Sequence, residues 1–225
     1  MDFYVINGSP RKKYNTSKVL DALVEGAYDQ LEDRQYDDEI NIEIIDLYDL
    51  DYKGCKSCFH CKKIDGKFYG QCPIKDDLLE LLPKLWASDA IIMASPIYFG
   101  NVTGQMRSFL ERLIFPKYVY GADSLAEKKT TACIYTMNVD KDMGEKLYGE
   151  SVFNLIERFI EYSFGKTHSF KVYDTYQFKD YSLYENYMFD EEKKRKTRDE
   201  QFPKDLKEAY MLGRTLISEI LDNEI

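Results

Sequence analysis

Apolar residues along this chain fall into short unbroken runs, separated by stretches in which they recur at every third or fourth position. The runs predict β-strands at 2–7, 41–47, 89–94, 130–136 and 168–173, because a strand buried on both faces needs apolar side chains at successive positions. Between the runs the helical period takes over. Leu20, Leu23, Val24, Ala27 and Leu31 share one stripe, with Thr16 or Ser17 as the expected cap. Leu78, Leu81, Leu82 and Leu85 form a second behind Asp76 or Asp77, with a kink expected at Pro83, which lacks a backbone donor. Met106, Phe109, Leu110 and Leu113 mark a third helix, and Val152, Leu155, Ile156 and Phe159 a fourth. Leu206, Ala209, Gly213, Leu216, Ile217 and Ile220 mark the last. This alternation predicts an α/β fold: a doubly wound five-stranded parallel sheet with helices on both faces. Such a sheet binds its ligand beyond the carboxyl ends of the strands, where strand order reverses.

Two stretches interrupt the alternation, 48–74 and 174–200. Connections of that length inside a compact chain are usually functional. Residues 1–225 are therefore read as one domain carrying a cysteine-rich insertion, 48–74, and a C-terminal extension, 174–225. The run from Asp190 to Glu200 mixes charge signs, which predicts a solvated helix or loop.

Charge narrows the function classes. With 31 Lys and Arg against 40 Asp and Glu, the net charge is −9. Nonspecific nucleic-acid binding needs the opposite balance, so no nucleic-acid partner is expected. No segment approaches the roughly 18 consecutive apolar residues of a membrane span, so no membrane partner is expected either. The chain opens directly on a strand-like run, Phe3 to Ile6, without the pattern of an export signal. A cytoplasmic location is the resulting expectation. In that reducing compartment, clustered cysteines point to metal or redox work rather than to a disulfide framework.

The first strand runs into Asn7-Gly8-Ser9-Pro10-Arg11, and Asn15-Thr16-Ser17 then opens the first helix. Unsatisfied amides at a helix start favour an anion, and the short polar side chains and Arg11 add donors and charge. Gly8 is the only glycine of residues 7–17, so neither the Walker A nor the dinucleotide fingerprint is present, and a mononucleotide phosphate is expected.

Cys55-x2-Cys58-x2-Cys61 followed by Cys72-Pro73 resembles the ligand spacing of ferredoxin-type iron-sulfur sites, with a last gap of ten residues where that pattern has three. Four thiolates also suit structural zinc, close cysteines also form redox disulfides, and a metal-free loop stays open as well. Cys133, alone in an apolar run, is expected in the core.

Gly8-Ser9-Pro10-Arg11 with Asn15-Thr16-Ser17, and then Ala94-Ser95-Pro96-Ile97-Tyr98-Phe99-Gly100-Asn101 running into Gly104-Gln105-Met106-Arg107, resemble the NAD(P)H-dependent FMN reductase family of flavodoxin-like proteins over roughly residues 1–170. The cysteine segment followed by Ile74-Lys75-Asp76-Asp77 is similar to the iron-sulfur flavoprotein branch. The resemblance implies that Ser9, Arg11, Asn15, Thr16 and Ser17 hold the FMN phosphate and that Pro96, Ile97, Tyr98, Phe99 and Gly100 contact the flavin. After the fourth predicted strand the chain departs from the family's glycine-containing third loop, and Thr136 and Asn138 are the polar groups expected at the ring. It further implies NADH or NADPH as co-substrate, an unidentified electron acceptor, a four-iron, four-sulfur cluster on Cys55, Cys58, Cys61 and Cys72, and a homodimer or homotetramer. The cofactors carry hydride chemistry themselves, so no catalytic acid or base is expected. An electron carrier without its own NAD(P)H reaction, or a redox- or metal-sensing module, are the alternative readings.

Overall fold

The computed structural model describes residues 1–222. Five parallel strands form the sheet: β1 (Asp2–Asn7), β2 (Asn41–Asp46), β3 (Ala90–Tyr98), β5 (Thr130–Thr136) and β6 (Thr167–Val172), in the order β2-β1-β3-β5-β6. A two-residue strand, β4 (Asn101–Val102), folds back antiparallel on the end of β3. Strand order reverses between β1 and β3, which places the crevice for a ligand beyond Asn7 and Ala94.

The fully buried runs Phe3-Tyr4-Val5-Ile6 and Ala90-Ile91-Ile92-Met93-Ala94 send alternate side chains to the two faces. On one face, α1 (Asn15–Asp33) and α7 (Phe202–Leu221) cover Phe3, Val5, Ile92 and Ile134. On the other, α2 (Leu78–Ala87), α3 (Gly104–Ile114) and α5 (Asn154–Phe164) cover Tyr4, Ile6, Ile91 and Met93. Where α1 meets α7, each helix presents a glycine to the other's backbone. A Cβ on Gly26 would overlap the Tyr210 carbonyl, and one on Gly213 would overlap the Leu23 carbonyl. Glycine is required at both positions by this close approach.

Several local expectations are corrected. Neither Thr16 nor Ser17 caps α1; both lie inside it, with Tyr14 at the cap position and no side-chain cap. Asp76 does serve the start of α2, accepting from the Leu78 amide at 3.2 Å, and α2 continues through Pro83. Residues 95–98, beyond the predicted strand 89–94, extend β3, with Pro96 opposite Thr136 in the ladder. The fourth helix is preceded by another, α4 (Lys141–Tyr148), joined to α5 by a widened turn, Gly149–Phe153. The charged run forms α6 (Glu191–Glu200), capped by the Asp190 carboxylate accepting from the Lys193 amide at 2.9 Å. Cys133 is buried in β5 as expected, and burial pushes its thiol up to about 12.

Candidate functional site

Beyond the carboxyl ends of β1, β3 and β5 lies a cavity of about 220 Å³. Asn7 organises its first wall. Its amide oxygen accepts from the Ser9 N–H at 3.0 Å, and its amide nitrogen donates to Ser17 Oγ at 3.2 Å and Asp46 Oδ1 at 2.7 Å. Gly8 is clamped against β3 and α3: its N–H donates to the Ala94 carbonyl at 2.7 Å, and the Thr103 hydroxyl donates to its own carbonyl at 2.7 Å. A Cβ there would approach Ala94 O and Met106 Cβ to 3.0 Å, which explains the glycine. α1 then starts uncapped, so the amides of its first turn lack intrahelical partners. Asn15 and Thr16 of that turn, with Ser9 and Arg11, form the cavity wall.

The opposite wall comes from the end of β3, as Pro96, Ile97 and Tyr98, and from Thr136, Met137, Asn138 and Val139 after β5. The two walls are tied by a 2.8 Å hydrogen bond between the buried hydroxyls of Thr16 and Thr136. Burial pushes the Tyr98 hydroxyl up and the nearby Arg11 pulls it down, leaving a net rise. Arg11 itself lies over the Tyr14 ring, 3.5 Å from its centroid, and donates to the Gln177 carbonyl at 2.9 Å.

Of the twelve expected flavin contacts, nine line this one cavity: Ser9, Arg11, Asn15, Thr16, Pro96, Ile97, Tyr98, Thr136 and Asn138. Ser17, Phe99 and Gly100 are not on its wall. Ser17 accepts from Asn7 instead. Phe99 and Gly100 make the tight turn from β3 to β4, both at positive φ, and the Phe99 ring stands fully in solvent.

The sequence reading missed the part of the wall supplied by the C-terminal extension. Thr175, Gln177 and Phe189 line the cavity beside Tyr148 of α4. Backbone bonds hold that segment down: the Thr175 amide donates to Met137 O at 2.9 Å, and Asn15 Nδ2 donates to Tyr176 O at 3.0 Å. Asn138 Nδ2 donates to Gln177 Oε1 at 2.5 Å. Lys194, from the charged run, is buried; it bonds the Asn138 carbonyl and pairs with Asp174 at 2.5 Å. Burial pulls its pKa down and Asp174 opposes that. Only the length of segment 174–200 signalled any of this.

The four clustered cysteines line a second, small pocket together with Phe59, Ile74 and Phe115. Ser57 and Phe59, on either side of Cys58, adopt left-handed backbone (φ 51° and 57°), which curls the loop back on itself. The Gly70 amide closes it on the Cys61 carbonyl at 3.0 Å. Two cations fasten it to α3. Lys62 bonds the carbonyls of Phe115 and Tyr118 beyond the helix end, and Arg112 reaches Lys53 O at 2.9 Å. The Arg112 side chain, fully buried, also pairs with both Asp76 oxygens at 2.7 and 3.0 Å and donates to Cys72 Sγ at 3.0 Å. All five cysteines are free, and burial pushes the Cys61 thiol up. Among the described residues, no three His, Cys, Asp or Glu side chains gather as the ligands of a single metal ion would.

Residues 1–144 match the family model described as NADPH-dependent FMN reductase. The chain belongs to that family. The match spans both loops of the cavity and the whole cysteine segment, while the cavity wall from 175 to 189 lies outside it. An iron-sulfur flavoprotein of Archaeoglobus fulgidus is 38% identical over 112 residues, covering 50% of this chain and 48% of that protein. The chain thus spans about half the length of the curated relatives it matches. The fold of this family member is also that of an NAD(P)H:quinone oxidoreductase from Methanothermobacter marburgensis (TM-score 0.67, 16% identity, 96% of each chain). An FMN-dependent NADH-azoreductase from Bacillus anthracis in complex with FMN shares the fold too (TM-score 0.60, 11% identity, 98% of this chain and 99% of that one).

Proposed function

We propose that this chain is an FMN-dependent NAD(P)H oxidoreductase that delivers electrons to an external acceptor by way of a four-iron, four-sulfur cluster. The observation that carries the flavin is the uncapped start of α1 at the wall of a cavity whose other wall is the end of β3 and the loop after β5. Ser9, Arg11, Asn15 and Thr16 would bind the phosphate, where free amides and a guanidinium offset its charge. Backbone groups of Pro96 to Tyr98, with Thr136 and Asn138, would orient the polar edge of the ring. Tyr98, about 41% exposed, leaves that end open for a co-substrate. When bound, FMN accepts hydride and releases the electrons onward, so the chain's part is to bind, orient and shield. His60 and His168 fit that division: His168 is spent on Glu219 at 2.8 Å, and His60 belongs to the short turn carrying Cys61.

The donor set suits the cluster. A cubane cluster takes one thiolate per iron, and this segment offers four. Cys55, Cys58, Cys61 and Cys72 share an apolar pocket, and the Arg112 N–H on Cys72 Sγ would stabilise a thiolate ligand there. Free cysteines suit a reducing cytoplasm. Mass spectrometry of the cofactor released from anaerobically purified protein tests the assignment: FMN is the expected result, and FAD or no flavin would overturn it.

A further inference from the structure

The cavity wall supplied by the C-terminal extension holds a hydrogen-bond chain whose polarity is set at its far end. Lys194 of α6 is buried, and Asp174, 2.5 Å away, opposes the loss of its proton. Both oxygens of Asn138 face that ammonium group: the backbone carbonyl accepts from it, and Oδ1 lies 3.5 Å from it. An ammonium group offers only donors, so the Asn138 side chain turns its oxygen to Lys194 and its Nδ2 away. Nδ2 donates to Gln177 Oε1 at 2.5 Å. With that oxygen taken, the Gln177 side chain has only its Nε2 hydrogens left, and Nε2 donates to no acceptor among the described residues. Reversing either amide would set donor against donor.

Gln177 is fixed in place as well as in direction. Its carbonyl accepts from Arg11 at 2.9 Å, and its amide donates to the Tyr181 hydroxyl at 3.1 Å. It lines the flavin cavity together with Asn138, which would orient the polar edge of the ring. Neither Gln177 nor Lys194 lies within residues 1–144, the part matched by the family model. A cation at one end of a hydrogen-bond chain polarises each link toward the next, which strengthens the last donor. A hydride carries two electrons and one proton, so its transfer from nicotinamide to a neutral flavin ring leaves the nicotinamide a cation and the ring an anion. A strengthened donor fixed at the ring stabilises that anion more than it stabilises the neutral ring.

We propose that Gln177, polarised by Lys194 through Asn138, donates from Nε2 to the polar edge of the FMN ring and raises the midpoint potential of the bound flavin; the proposal rests on the reading of this cavity as the FMN site. Gln177 is then a cofactor contact, and Lys194 a positioning residue that acts through it.

Anaerobic redox titration of FMN-loaded protein against a reference dye, followed at the flavin band, tests it, with FMN affinity measured in the same variants. Gln177→Leu is expected to lower the preference for reduced over oxidised FMN about tenfold, read as a midpoint potential about 30 mV lower for the two-electron couple. Lys194→Met should shift the potential in the same direction by a smaller amount. The Gln177→Leu/Lys194→Met variant should fall no further than Gln177→Leu alone, because the cation acts through the amide. If Lys194→Met strands Asp174 and fails to fold, Lys194→Met/Asp174→Asn takes its place in the comparison. An equal loss of affinity for both forms of FMN, with the potential unmoved, would assign Gln177 to the phosphate, the ribityl chain or the scaffold and overturn the proposal. Additive shifts would make Lys194 act through space and overturn it too. The two readings fail separately. Wild-type protein that takes up no FMN removes the flavin site and this inference with it. Protein that binds FMN at one potential in both wild type and Gln177→Leu keeps the flavin site and loses this inference alone.

Discussion

The Arg112 guanidinium donates through Nε to Cys72 Sγ at 3.0 Å while its other nitrogens hold the Asp76 carboxylate at 2.7 and 3.0 Å. One buried side chain therefore joins the cysteine loop, the start of α2 and α3. Burial by itself lowers the pKa of Arg112, but Asp76 and Cys72 outweigh it and the net direction is upward. Removing the cation would strand the Asp76 charge in a half-closed site and free the loop. Arg112→Leu is expected to cost about 3 kcal/mol, in the range for breaking a buried pair. Urea unfolding measures it, and a loss under about 1 kcal/mol would reduce the pair to a surface-like contact.

At the cysteines themselves, protein purified anaerobically is expected to carry about four iron atoms per chain, and Cys58→Ala to lose most of them. FMN should stay, because none of the thiols lines the flavin cavity. Iron and flavin assays on the same sample decide. Absence of iron and labile sulfide after reconstitution would leave the thiols with another role.

Arg11→Ala combined with Thr16→Ala should weaken FMN by about a hundredfold, since a charged contact to phosphate and a hydroxyl contact are lost together. The same change removes two anchors within the site, Arg11 on Gln177 O and Thr16 on Thr136. Hydrogen exchange across 174–190 should therefore quicken along with the loss of affinity. Unchanged FMN affinity would move the phosphate elsewhere.

Gly213→Ala places a methyl group where the Leu23 carbonyl lies, so α1 and α7 must part. Overpacking of this kind costs about 1–3 kcal/mol or more. Thermal unfolding of the variant should show it, and a neutral result would mean that the helices adjust without penalty.

Much of this architecture is legible in the sequence, for reasons that also mark the limit. The β1 and β3 runs are apolar at every position because both faces are covered, and the first loop is readable because Gly8, Ser9 and Arg11 are close neighbours in the chain, Ser9 and Arg11 on one cavity wall. The predicted strand 89–94 stops short of Pro96, and a proline normally disrupts a ladder; here Pro96 sits at the sheet's end, where its missing N–H costs little. Phe99 matched a motif by position, but motif spacing does not say which side of a turn a ring takes. Lys194 and Gln177 could not be found by local pattern at all. Of their partners, Asn138 and Arg11 lie on other segments and Asp174 at the far end of the same one, and a lysine in a mixed-charge helix carries no sign that it will be buried.

The central claim is that a flavin seated between the first loop and the end of β3 takes its electrons from a pyridine nucleotide. Anaerobic mixing of FMN-loaded protein with NADPH, followed by visible absorption, tests it most directly. The flavin band should bleach with one equivalent of nucleotide, in a reaction that Arg11→Ala with Thr16→Ala slows in step with its loss of FMN. A band that stays intact with both NADPH and NADH, and bleaches only with a chemical reductant, would contradict the claim.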